Sequence, residues 1–205
     1  MAMTSNRRTA TTFFVAMVLT CLAAAAYLLT TGITDDSISL ALRISGRFAF
    51  LILIVAFAAR PLQQLVKAPW TAKLLRNRRQ LGVAFAGIHI AHFGLILMRI
   101  NHVPEFGAGS PFSLSGAFTY VVILAMLITS FSGPARAIGP KAWKVLHKLG
   151  IFFLVAAFLR TQLPSTMADL ELANGLLIVL ATAALIVRVS AFVANRRNAP
   201  TRQPQ

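Results

Sequence analysis

The chain has 205 residues, of which 57% are hydrophobic and only 12% charged, and its mean hydropathy is +0.73. A soluble domain of this length needs a far more charged surface, so the composition excludes a soluble enzyme or binding module. The formal net charge of +15 does not point to nucleic acid either, because the charges are sorted along the chain. All five acids (Asp35, Asp36, Glu105, Asp169, Glu171) fall in gaps between alternate apolar runs, and most Lys and Arg fall in the other gaps and at the two ends. That is the positive-inside pattern of a multi-pass protein of a bacterial inner (cytoplasmic) membrane. Its basic side faces anionic lipid head groups, so the bilayer is the expected partner and nucleic acid is not.

Six apolar runs are long enough to cross: about 12–31, 38–59, 81–100, 116–131, 143–159 and 172–193. The predicted fold is an all-α, six-helix polytopic transmembrane bundle. Residues 1–11 form an N-terminal cytoplasmic segment, 12–193 the six-span domain, and 194–205 a polar cytoplasmic tail. The first run follows Arg7 and Arg8 and has no convincing cleavage site, so it is read as a retained helix. Cys21 lies within it and has no second cysteine to pair with. The second run carries Arg43 and Arg47 on one face. Arg43 reaches the interface by snorkelling. Arg47 lies deeper, and pairs with Asp35 or Asp36 or supplies a bidentate contact to a carboxylate-bearing cofactor.

The 60–80 and 132–144 connections are basic, which places them in the cytoplasm together with both termini. The third and fifth runs then travel in the same direction. The third carries His89 and His92, three positions apart and on one face; the fifth opens with Trp143 and His147. An ionisable side chain within a span marks a functional site by default. Counting rise per residue puts His89 about 13 Å beyond Gln80 and His147 somewhat shallower. Parallel helices with histidines at comparable depth can offer two imidazoles to one haem iron, so two of His89, His92 and His147 are candidate axial ligands. The small residues Gly87, Gly94 and Gly150 leave low helix surfaces nearby. A bare zinc site is disfavoured: residues 89–92 read HIAH rather than HExxH, and no carboxylate or thiolate completes a tetrahedral set.

Three segments, SGRFAFLILIVAFAARPLQQL (45–65), RRQLGVAFAGIHIAH (78–92) and WKVLHKLG (143–150), resemble the ferric reductase-like transmembrane domain. That family includes the haem-binding membrane subunit of the bacterial methionine sulfoxide reductase system. The resemblance implies one b-type haem held by histidines of the third and fifth helices, and electron transfer across or into the membrane. Carried over residue by residue, it makes His92, ten residues after Gly82, the third-helix ligand and His147 the inner ligand of the fifth helix; Arg47, by its own position and chemistry, is a candidate for the haem carboxylates. Depth counting favours His89 instead, so both third-helix candidates stand. The family often places a second histidine thirteen residues further along the fifth helix, and here that residue is Arg160. His102 follows His89 by thirteen, but lies beside Pro104 and Glu105 and is read as a surface residue.

No Gly-rich phosphate loop and no region large enough for a flavin or nicotinamide domain is visible. Electrons would therefore come from quinol or a separate reductase and pass to a redox partner subunit, with a quinone as a second candidate carrier. The competing reading is a non-redox accessory subunit or small-solute transporter with a decayed haem site. Transport is less favoured because broken helices and internal repeats are not evident.

Overall fold

The computed structural model describes residues 2–102, 114–169 and 172–197, and all of it is helix with short connections. Six helices follow one another: α1 (Ala2–Thr31), α2 (Asp35–Leu65), α3 (Pro69–His102), α4 (Leu114–Ile128), α5 (Ser132–Asp169) and α6 (Leu172–Arg197). Five are long and apolar enough to cross a membrane, and α4, with 15 residues, is a shorter apolar helix. The all-α bundle is as expected, and the chain is a multi-pass membrane protein.

Local chemistry fixes the ends. Gly32, at φ 81°, turns the chain out of α1, and Thr34 caps α2. The Thr34 hydroxyl accepts from the Ser37 amide at 3.2 Å while the Ser37 hydroxyl accepts from the Thr34 amide at 2.9 Å, with Asp35 and Asp36 in the first turn. Pro69 opens α3, where a missing N–H costs nothing. Gly139 (φ 76°, ψ 163°) breaks α5, so Ser132–Ile138 is a short arm that bends into the spanning part.

The helices outrun the apolar stretches. The basic 60–80 connection is mostly helical, since α2 continues through Pro61 to Leu65 and α3 begins at Pro69. Hydropathy marks where lipid begins, whereas Lys, Arg and Gln continue a helix readily. The N-terminal segment is likewise helical from Ala2, and α6 runs on to Arg197.

The core is organised on α2, half of whose apolar window is buried, compared with 6% for α1. Phe50, Leu53 and Phe57 of α2 pack with Phe85 of α3, Ile123 of α4 and Leu154 of α5. Phe50 stacks on Phe158 of α5 with centroids 5.0 Å apart. A smaller cluster of Leu28, Ile38, Ala41 and Leu95 ties α1, α2 and α3 at the other end. Helix α1 reaches the bundle chiefly at Gly87: a Cβ there would lie 2.5 Å from the Phe13 carbonyl oxygen, so only glycine lets the two backbones approach this closely.

Candidate functional site: a histidine chamber and a histidine stack

Arg78, Gly82, Phe85, His89 and His92 recur at four- and three-residue steps, so they form one stripe along α3. The stripe looks into the bundle at two levels.

At the level nearer the C-terminal end of α3, His89 is buried, with 6% of its surface exposed. Its ring stacks between Phe85 (centroids 5.2 Å) and His92 (5.1 Å), with Tyr120 of α4 at 5.3 Å and Phe158 of α5 at 5.2 Å. Among the described residues its Nδ1 and the Tyr120 hydroxyl have no hydrogen-bond partner. His92 reaches α2. Its Nδ1 lies 2.8 Å from the Ser45 hydroxyl, and a Cβ on Gly46 would sit 3.5 Å from its Cε1. The Ser45 hydroxyl donates to the Ala41 carbonyl at 2.8 Å, so it accepts from His92 Nδ1–H and leaves the lone pair on Nε2.

At the level nearer the N-terminal end of α3, a chamber of about 570 Å³ opens between the helices. His147 lines it, held by two neighbours. The Thr129 hydroxyl lies 3.1 Å from its Nε2 and donates to the Ala125 carbonyl at 2.6 Å. Trp143 stacks on the imidazole at 4.4 Å and donates its indole N–H to the Thr129 carbonyl at 2.8 Å. Apolar walls come from Leu53, Phe85, Ile123, Met126, Ile151 and Leu154. Six cations, Arg60, Arg78, Arg79, Arg188, Lys144 and Lys148, also line it, and none of the described lining residues is acidic.

Several of these cations are anchored. Arg78 donates to the Ala56 carbonyl at 3.1 Å, and Arg79 donates to the Ser5 hydroxyl at 2.6 Å and to the Ser130 carbonyl. Arg188 donates to the Phe57 carbonyl at 3.1 Å. Each guanidinium keeps further donors for a ligand. Sequence reading took Arg60, Arg78 and Arg79 as markers of topology, and the i, i+4, i+7 step from Arg78 through Gly82 to Phe85 was the signal that places Arg78 inward.

The structure thus brings His89 and His92 together and sets His147 apart from them. His89 touches Phe158, eleven residues after His147 on α5, a rise of about 16 Å. Helices α3 and α5 also keep their backbones apart: among the described residues no pair of their Cα atoms comes within 8 Å. Arg160 is exposed, two residues beyond Phe158. Arg47 donates to Asn174 Oδ1 of α6 at 2.9 Å. Asp35 is engaged by Arg99, at 2.9 Å. Neither Arg47 nor the α3 histidines line the chamber. Arg43 and Cys21 are exposed, and so is His102, the last residue of α3; Pro104 and Glu105 lie outside the described residues.

A chamber with an imidazole, apolar walls and a cationic rim suits haem, a flat apolar macrocycle carrying two carboxylates. Its donor set fits that group better than a free metal ion, and no cluster of three or more metal-ligating residues occurs among the described residues.

Comparison with known proteins gives the same direction. The protein-methionine-sulfoxide reductase heme-binding subunit MsrQ of Cronobacter sakazakii is 30% identical over 118 residues, 55% of this chain and 56% of the relative. Its counterpart in Deinococcus radiodurans is 27% identical over 130 residues, 62% of each chain. That of Salmonella paratyphi B is 28% identical over 131 residues, 61% of this chain and 63% of the relative. The matched part of the chain therefore spans less than two thirds of these relatives. No solved structure matches it. The description "ferric reductase like transmembrane component" matches residues 45–158, from the middle of α2 through α5, and the chain belongs to that family.

Proposed function

We propose that this chain is a b-type haem-binding membrane subunit that passes electrons between a donor and a partner protein. The observation that carries the reading is the chamber, where His147 opens on an apolar space rimmed by six cations and no described acid. The MsrQ relatives, named as heme-binding subunits of a methionine-sulfoxide reductase, support it.

Haem, when bound, supplies one-electron redox chemistry. The chain's residues divide the remaining work. His147 would hold the haem through Nδ1, the ring nitrogen that Thr129 leaves free, and Trp143 and Thr129 fix the plane and tilt of its ring, as outer partners of metal-bound histidines do. Arg60, Arg78 and Arg188 take the haem carboxylates, and the apolar walls exclude water. His92 and His89 remain the candidate ligands on α3, but their level, about 16 Å of helix rise from His147, separates them from a haem seated in the chamber. With His147 as its only histidine, the chamber would hold one haem per chain. Arg47, tied to Asn174, is not among the carboxylate ligands of this reading.

The donor is quinol or a separate reductase, and the acceptor is a redox partner subunit. The basic end of the bundle, with both termini, faces the cytoplasm of a bacterial inner membrane. The competing reading, an accessory subunit without haem, is favoured by one observation: exposed Arg160 stands where a second fifth-helix histidine is often found.

A reduced-minus-oxidised spectrum of protein expressed with adequate haem separates the readings. Bound haem with a b-type spectrum is expected, and its absence leaves the accessory reading. His147→Ala should strip the haem while His89→Ala and His92→Ala retain it. Equal loss in His147→Ala and in either α3 variant would replace the chamber site with an iron shared between α3 and α5.

A further inference from the structure

A second concavity, outside the chamber, lies between α1 and α2. These helices are joined by a short turn and share the Leu28–Ile38–Ala41–Leu95 cluster at that end. From there a wedge of about 1110 Å³ opens toward Arg7 and Arg8. Its floor is Ala84 and Ile88 of α3. The close crossing at Gly87 keeps α1 on α3 while leaving its flank toward α2 uncovered. Along α1 the wedge runs from Arg8 to Tyr27, about 28 Å of rise, close to the hydrocarbon thickness of about 30 Å.

The wedge is chemically graded. Thr11, Thr12 and Thr20 donate to the carbonyls of Arg7, Arg8 and Ala16 at 3.0, 2.9 and 2.8 Å, and Ser45 is engaged with Ala41 and His92. These hydroxyls are therefore turned back on their own helices, and the interior offers methyl groups. Charge is confined to the open end, where Arg8 is steadied by Asn77 Oδ1 at 2.9 Å and no acid lines the wedge.

We propose that this wedge binds one anionic phospholipid of the leaflet at the Arg7–Arg8 end, its phosphate on the two guanidinium groups and an acyl chain along α1. A quinone would need a polar partner along the wedge, where Thr11, Thr12, Thr20 and Ser45 are already engaged and the one further hydroxyl, that of Tyr27, stands at the end away from the arginines. A second copy of the chain would have to fill a narrowing slot with a helix. A lipid tail fits the taper, and its head group meets the only charges present.

Native mass spectrometry of the full chain tests this. The delipidated protein is offered dioleoylphosphatidylglycerol and dioleoylphosphatidylcholine at equal mole fraction. One phosphatidylglycerol should be retained, preferred about thirtyfold for two arginines at the surface. The Arg7→Gln/Arg8→Gln double variant should erase the preference. Ala84→Trp, which fills the floor, should lower occupancy of both lipids, and Val15→Trp serves if Ala84→Trp does not fold. Haem content should stay constant in all of them, which separates this test from that of the chamber. Equal retention of the two lipids by the wild type, unchanged retention in the filled variants, a retained quinone, or a dimer in place of lipid would each overturn the proposal.

Discussion

Arg188 of α6 completes a hydrogen bond that Pro61 removes from α2. Proline has no N–H, so the carbonyl of Phe57, four residues earlier, loses its helical donor. The Arg188 guanidinium supplies one at 3.1 Å and lies over the rings of Phe57 and Phe152, 4.3 and 4.5 Å from their centroids. A charge facing the chamber is thereby fixed by the helix that forms part of its wall.

Arg188→Met should therefore destabilise the bundle by about 1–3 kcal/mol, the cost of an unpaired buried carbonyl plus a lost cation–π contact. Pro61→Ala restores the amide and should shrink that cost. A double-mutant cycle by denaturant titration in detergent measures the coupling; additive effects would mean that the two residues act independently.

Gly87 and Gly150 provide a matched pair. An added Cβ at Gly87 meets backbone of α1, the Phe13 carbonyl and the Met17 amide, which cannot yield without moving the helix. At Gly150 it meets the Sδ of Met126, the far part of a flexible side chain. Gly87→Ala should cost about 1–3 kcal/mol and loosen α1, whereas Gly150→Ala should be close to neutral. Thermal unfolding, with proteolysis of α1 as a local probe, reads both.

Thr129→Val removes the hydroxyl from His147 Nε2 while keeping the side-chain volume. Under the chamber reading it should weaken haem binding by about tenfold to a hundredfold, as loss of an outer partner does elsewhere. Trp143→Phe keeps a stacking ring but drops the indole N–H, and should act in the same direction. Haem titration of the apoprotein gives the ratio, and unchanged affinity in both variants would remove Thr129 and Trp143 from the site.

Arg99 and Asp35 form an ion pair at 2.9 Å, with the aspartate side chain 47% exposed. Solvent screens such a pair, so Asp35→Asn should cost less than about 1 kcal/mol, and less still in high salt. Unfolding at two ionic strengths checks this. A larger loss would point to Asp35's role at the first turn of α2 instead.

The sequence made the membrane architecture legible because hydrophobic length and charge sorting act directly on insertion. It revealed less about rotation and register. The three-residue spacing of His89 and His92 correctly put them on one face, yet the stacked rings meet different partners, one Tyr120 and Phe158 and the other Ser45. That difference depends on partners far away in the chain. The offset between His147 and the α3 pair was hidden for a similar reason: α3 and α5 are related through α2 and α4, and hydropathy does not encode how far one helix slides past another. Arg47, whose expected partners are Asp35, Asp36 or a cofactor carboxylate, donates its Nε–H to Asn174, an uncharged residue with no distinctive spacing. Pro61, inside α2, frees the Phe57 carbonyl that holds Arg188, and no apolar run marks that link.

The chamber's positive rim also sorts iron by its packaging. A bare ferric or ferrous ion approaching six like charges, with no described carboxylate to offset them, meets repulsion that low-dielectric walls intensify. The same field attracts iron enclosed in an anionic macrocycle. Despite the family's label, an uncomplexed metal ion is the wrong visitor for this chamber.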